Sequence, residues 1–546
     1  MKHKTFHKII FLFFLNLLFF KNSWSINHDM TTPPKGDIEH PIVILILSYN
    51  NKDWYIKNLD SVFAQDYQNY RIIYVDDASK DGTGELVENY VKKCGQEHRT
   101  TIIRNTTNQG AMANQYKAIH SCQDHEIIAQ LDGDDWFKRN DALQIVNTAY
   151  QDKNVWLTYG QFERLKFKKD GKTTFRVKGQ CCPVKQKVID EKSYRESAWV
   201  TSALRTFYAG LFKHVKLKDF LCDGKFFDST YDLGIMCPML EMTGGKFAFI
   251  DKTIYVYNRL NPLNDHNIRL VRQLYLGTFI KSKCKYDALD YPGIPERNIS
   301  EKAKSDLVII SEDNHEHLDE MLVSVYSHVK SLENIYILCK SFKNTQEQKY
   351  LKNIQETFPD INILEYAPQN FKETLEHIIL SCPNNHIILA NNNIIVKNTL
   401  ELNTCIKHLE HTYAHGFYFS LGKNITHNHV LTKKQPIPVH TQLYDNIYVW
   451  QFQYGQQDWR KPNNLLMTLY RKKDIFNAIT NLNYNSIDTL ENLWNDWSFD
   501  LENIGLFFNK SKVFINDKVP EKKTKKNKKK YPKAWLRNLF GEKHDT

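Results

Sequence analysis

The chain has 546 residues, too many for one ordinary core, and its composition (42% hydrophobic, 13% aromatic) is that of a folded protein with more than one domain. The net charge of +11 lies at the ends: residues 1–25 carry four Lys and no acid, residues 517–546 carry eleven Lys/Arg against four acids, and the body between them balances 58 bases with 58 acids. A neutral body excludes a partner held by bulk positive charge, nucleic acid above all, and the ten cysteines show no metal-ligand spacing.

Lys2, Lys4 and Lys8 precede an apolar run over residues 9–20, with Ser23 and Ser25 at cleavage spacing. This pattern predicts residues 1–25 to be a signal peptide or a signal-anchor, with the body exported or in a secretory lumen, and membrane-anchored by residues 9–20 if uncleaved. Residues 26–40, with Pro33-Pro34, read as a linker.

From Pro41 an α/β pattern begins. Ile42–Leu47, Arg71–Val75, Thr101–Arg104 and Glu126–Leu131 read as strands, and about 53–64, 82–93 and 110–120 as helices. Such alternation predicts a mostly parallel sheet with crossover helices. Three of these strands end in polar clusters: Ser48-Tyr49-Asn50, Asp76-Asp77 and Asp132-Gly133-Asp134-Asp135. In an open parallel sheet the carboxyl ends of the strands line one crevice, so these groups should converge on a ligand.

Residues 276–303, with Pro292, Gly293 and Pro295, read as a linker, and then the pattern restarts at Leu307–Ile310, Asn334–Leu338 and His386–Ala390. Ser48 lies thirteen residues before Ser61 and Ser311 thirteen before Ser324; Ser61 lies fifteen before Asp76 and Ser324 fifteen before Cys339. Matching spacings predict two tandem copies of one fold, over 41–275 and 304–516. In the second, Cys339 stands for Asp76 and Asn391-Asn392-Asn393 for Asp132-Gly133-Asp134. An amide cannot neutralise a hard cation, so this copy is expected to hold no catalytic metal and to serve acceptor binding, packing or dimerisation. The tail 517–546 holds the lysine run Lys522–Lys530, a solvated end or a contact with an anionic membrane surface.

The strings VILILSYN (43–50), YVDDASKDGT (74–83), Asn108-Gln109-Gly110 with Asn114, and LDGDDW (131–136) together resemble the nucleotide-binding half of family 2 glycosyltransferases with the GT-A fold, a Rossmann-like α/β fold. The resemblance weakens toward residue 270. It implies an inverting transferase that moves a sugar from a nucleotide-diphosphate sugar to a hydroxyl of a glycan, protein or lipid, with Mn2+ or Mg2+ as cofactor. Ser48, Tyr49, Asn50, Asp76, Asn108, Gly110 and Asp132 would bind the donor, and Asp134 with Asp132 the metal, joined by His266 as a further contact. Two carboxylates around one glycine suit a hard cation that shares its oxygen ligands with phosphate and water. In FFDSTYDLGIMCPMLEMTGG (226–245), Asp232 resembles the family's catalytic base, with Asp228 as the rival; the family's paired acid is replaced by Tyr231. Arg205 would clamp a phosphate or the acceptor. The competing reading is a non-catalytic carbohydrate-binding or scaffold protein with a decayed transferase fold.

Overall fold

The structure, a computed structural model, describes residues 38–515 except 169, 171, 263–269, 294–302, 312–316, 342–344, 429–432 and 498–499. The expected signal segment, His266 and Lys522–Lys530 lie outside the described residues. Among those described, no helix is long and apolar enough to cross a membrane.

The first sheet is built from β1 (Ile42–Ser48), β2 (Tyr70–Asp76), β3 (Thr100–Arg104), β4 (Ile127–Asp132), the short β5 (Trp136–Phe137), β6 (Leu157–Phe167), β7 (Thr174–Lys178), β8 (Arg205–Tyr208) and, after the ribbon of β9 (Leu221–Cys222) and β10 (Lys225–Phe226), β11 (Phe247–Asn258). Its order is β3-β2-β1-β4-β8-β6-β11-β5, with β7 on β6. The first four strands are parallel, β8 is antiparallel to β4 and to β6, and β11 is parallel to β6. The apolar runs of β1, β2 and β4 are buried because helices cover both faces, as a parallel sheet requires. Helices Tyr55–Phe63, Thr83–Lys93 and Ala111–His120 fall where the apolar periodicity predicts them.

The second sheet runs, in spatial order, Ile361–Tyr366, Leu332–Lys340, Ser305–Ser311, His386–Asn391, Leu466–Arg471, Gly416–Tyr418, Ile504–Phe508, Ile447–Gln451 and His440–Tyr444. Through its first seven strands the chain order and the directions repeat those of the first sheet from β3 to β11: three parallel pairings, two antiparallel, then one parallel. The register repeats too. Ser48 pairs with Asp76 and Leu47 with Asp132, while Ser311 pairs with Cys339 and Ile310 with Asn391. One apolar cluster draws on both halves. The halves also meet where the Tyr116 hydroxyl donates to the His411 carbonyl at 3.3 Å, the Thr441 hydroxyl to the Gly224 carbonyl at 3.0 Å, and Lys218 to Asp500 at 2.7 Å.

The boundary expected at 275/276 needs correction. Helix Leu270–Ser282 runs through it, and Leu276 and Ile280 are fully buried. Gly277 is carried inside the helix, and the Pro292, Gly293 and Pro295 quoted for the linker come only after it ends.

Candidate active site

The strand-end clusters converge. Gly133 follows β4 and donates its N–H to the Leu47 carbonyl at 2.8 Å. A Cβ there would stand 2.8 Å from Asn51 Nδ2 and from Ser48 Cβ, and 2.9 Å from the Leu47 carbonyl oxygen. Only glycine lets the motif lie this close to the end of β1. Asn58, buried in the first helix, donates to the carbonyls of Asp132 (3.0 Å) and Asp135 (2.7 Å) and so fixes the turn between them.

The acids of this turn have different duties. Asp135 is fully buried and accepts from the Asn258 N–H at 2.7 Å and the Tyr255 hydroxyl at 2.5 Å. Burial, then the charges of Asp134 and Asp132, hold its carboxyl well above the usual range. Asp134 keeps a little exposed surface, yet desolvation and then the Asp132 charge raise it to about 6. It accepts from Asn261 Nδ2 at 2.8 Å. Asp132, half-buried, accepts from the Tyr231 hydroxyl at 3.2 Å.

That last bond joins the turn to helix Tyr231–Thr243, whose first turn carries Asp232. Thr230 enters the helix with φ 58°, a left-handed residue that swings Tyr231 and Asp232 inward. Asp232 Oδ2 lies 3.9 Å from Arg205 Nη1. Arg205 is buried and donates to Gln130 Oε1 at 2.9 Å, and Asp232 and Asp132 are the carboxylates that act on it most strongly. The guanidinium therefore lies beneath the two acids and neutralises part of their charge rather than reaching out as a clamp. Asp228, the rival base, is bound by Arg272 Nε at 2.9 Å and is half exposed.

On the other side of β1, Asp76 is buried and, among the described residues, its Oδ1 has no hydrogen-bond partner. Gly84 makes room for it, since a Cβ there would stand 2.7 Å from Asp76 Oδ2. A buried, unpaired carboxylate oxygen at a crevice is a place for a ligand donor. Ser48 is buried beside it and accepts from Asn51 Nδ2 at 3.1 Å. Asn50, at φ 55°, bonds Ser79 and Lys80 and ties the first loop to the second. Tyr49 is exposed.

Asn108 and Gly110 bond Asp77, which the sequence reading places in a strand-end cluster without a role of its own. Asp77 accepts from the N–H groups of Gln109 and Gly110 and from Asn105 Nδ2, each at 2.8 Å, and its carbonyl accepts from Asn108 Nδ2 at 3.2 Å. It staples the third loop to the second. Asn58, Asn261 and Tyr255 also escape a linear reading, because each reaches the turn from an element at least 74 residues away, and Gln130 because its partner Arg205 lies 75 residues on.

A divalent metal is testable against these residues. Asp132 and Asp134 are two hard oxygen donors side by side, and Asp134 is costly to ionise without a neighbouring cation, which fits Mg2+ or Mn2+ completed by phosphate and water. Among the described residues, no group of three or more His, Cys, Asp or Glu side chains is arranged to hold a metal alone.

The carboxyl ends of the parallel strands, edged by acids, are where open parallel sheets bind their ligands, and they form the candidate site. Residues 43–210 match the model of glycosyl transferase family 2. Glycosyltransferase GlyG of Streptococcus pneumoniae is 26% identical over 222 residues, covering 40% of this chain and 70% of that protein. Putative glycosyltransferase EpsH of Bacillus subtilis is 34% identical over 113 residues, covering 20% and 31%. Of solved structures, mannosyltransferase PcManGT from Pyrobaculum calidifontis, in complex with GDP-Man and Mn2+, aligns with TM-score 0.32 and 16% identity over 52% of this chain and 74% of that one. The first half of the chain is thus similar to glycosyltransferases, and the second half lies outside the family match.

Proposed function

We propose that the protein is an inverting, metal-dependent glycosyltransferase. The observation that carries this reading is the convergence of Asp76, with its unpaired oxygen, the Asp132–Asp134 pair, and Asp232 on one crevice. The donor's nucleoside lies against Asp76 and Ser48 and its diphosphate toward Asp132 and Asp134. These two carboxylates would hold a Mg2+ or Mn2+ ion, which would supply positive charge against that of the departing diphosphate. Asp232 takes the proton of an acceptor hydroxyl as that oxygen bonds to the anomeric carbon; the carbon–oxygen bond to the diphosphate breaks and the nucleoside diphosphate leaves. Attack opposite the leaving group inverts the anomeric centre. Arg205 holds Asp232 in place and offsets its charge and that of Asp132.

The second half is read as a copy that has lost its metal acids. Its support is the repeated strand order and register, with Cys339 and Asn391 at the positions of Asp76 and Asp132. The basic and apolar residues 2–20 support a place for the protein in an exported or lumenal compartment.

The test is nucleotide release by the purified protein from a panel of nucleotide sugars with Mn2+ or Mg2+, beside Asp134→Ala. Metal-dependent release from one donor, lost in the variant, is expected. No release, and no metal-dependent nucleotide binding, would leave the non-catalytic scaffold reading.

A further inference from the structure

Strands β6 and β7 form a hairpin that departs from the neutrality of the body. Residues 163–178 hold seven Lys/Arg and two acids. Both acids are engaged: Glu163 pairs with Lys138 and Arg176, and Asp170 accepts from the Lys172 and Thr173 N–H groups in the turn. Arg164 is opposite Val177 and Lys166 opposite Phe175 in the ladder, and Tyr257 of β11 pairs with Arg164. Arg259, one step on and bonded through its N–H to the Leu165 carbonyl at 3.0 Å, falls beside Lys166. Because side chains alternate, these six residues share one face.

Three cations thus crowd together, half-buried, and among the described residues none has a carboxylate partner. Among the described residues Arg164 Nε is buried without a hydrogen-bond acceptor, while its Nη2 donates to Gln180 Oε1 at 3.3 Å. Burial, then the Arg259 and Arg164 guanidiniums, push the Lys166 ammonium below its usual value. Such a group of like charges is uphill without an anion to join it. The exposed Phe175 and Val177 give it an apolar border.

The position indicates what binds. β6 and β11 are parallel to β4, so the cluster stands on the same rim as Asp132–Asp135. Arg259 sits between Asn258 and Asn261, which bond Asp135 and Asp134. Across the sheet, Asp76 is on β2, the metal acids are at the end of β4, and β6 is two strands further, about 10 Å beyond β4. A donor running from Asp76 to Asp132 points its sugar toward this side.

Resting on the transferase reading, we propose that Arg164, Lys166 and Arg259 form a subsite for an anionic group, phosphate or carboxylate, carried by the acceptor. The acceptor is then an acidic glycan or a phosphate-bearing chain rather than a neutral one.

The full chain is titrated calorimetrically, with EDTA, against tripolyphosphate and, separately, oligogalacturonate, which distinguishes phosphate from carboxylate. UDP and GDP are titrated in parallel with Mn2+. At least one polyanion should bind the native protein, and its affinity should fall tenfold or more in Lys166→Gln/Arg259→Gln, with nucleotide affinity kept. Lys166→Gln alone, a milder change, should move the same way, and the melting temperature of neither should fall, because removing crowded cations relieves repulsion. No polyanion binding, or binding unchanged in both variants, overturns the proposal. A parallel loss of nucleotide affinity overturns it by assigning the cluster to the donor. The polyanion arm needs no turnover, so its result stands apart from failure of the transferase assay.

Discussion

The Tyr231 hydroxyl donates to Asp132 Oδ1 at 3.2 Å, tying the helix that carries Asp232 to the turn that ends β4. A tyrosine stands where an acid is expected from the family resemblance, and it supplies a bond instead of a charge. Tyr231→Phe removes only that bond. A hydrogen bond to a charged acceptor contributes about 1.5–3 kcal/mol, so turnover should fall roughly 10- to 100-fold with the fold intact. Nucleotide-release kinetics beside circular dichroism check this; unchanged turnover would show that the helix does not depend on the link.

Asp134 sets a pH dependence. Its carboxyl, normally near 3.8, is raised to about 6, so the metal-free fold binds this proton more tightly than the unfolded chain. Stability is then lost as pH rises from about 4 to about 6, by about 3 kcal/mol when complete. Asp134→Asn should melt higher than the native protein at pH 8 without metal, and the two should converge below pH 4. Added Mn2+ should stabilise the native protein and not the variant.

Gly133→Ala places a methyl 2.9 Å from the Leu47 carbonyl oxygen and 2.8 Å from Ser48 Cβ. Overpacking of this kind costs about 1–3 kcal/mol. Urea unfolding should show that loss, and turnover should fall because the motif is pushed from the end of β1.

Asp77→Ala removes the acceptor of three bonds at 2.8 Å that hold Asn105, Gln109 and Gly110. At least about 2 kcal/mol of stability should go, since bonds to a charged acceptor are strong and the freed donors are left unpaired. The donor KM should rise more than kcat falls. A change in kcat alone would place Asp77 in the chemistry rather than in the loop.

Much of this was legible in the residues. Ile42–Leu47 is an apolar run that lies within β1, and the expected strand Glu126–Leu131 lies in β4 except for Glu126, just before it. Local pattern suffices there, because burial on both faces leaves no other use for such a run. Asn108 and Gly110 are expected to bind the donor; that both also bond Asp77, across 31 and 33 residues, is a contact that spacing does not reveal. Likewise the sequence favours Asp232 over Asp228 by resemblance alone and shows no partner for either. Arg272 engages one and Arg205 the other, and only folding brings either arginine there.

The sequence by itself determined the α/β alternation, the acids at the strand ends and the restart of the pattern after residue 303, because strand and turn propensities act over a few neighbouring residues. Tertiary structure alone decided which carboxylate is which: Asp135 is locked by Tyr255 and Asn258, Asp134 is raised to about 6, Asp232 is set over Arg205, and Asp76 is left with an open oxygen. The physical reason is that a carboxylate's charge and partners depend on its burial and on groups within a few ångströms, and those groups come from strands up to more than a hundred residues away.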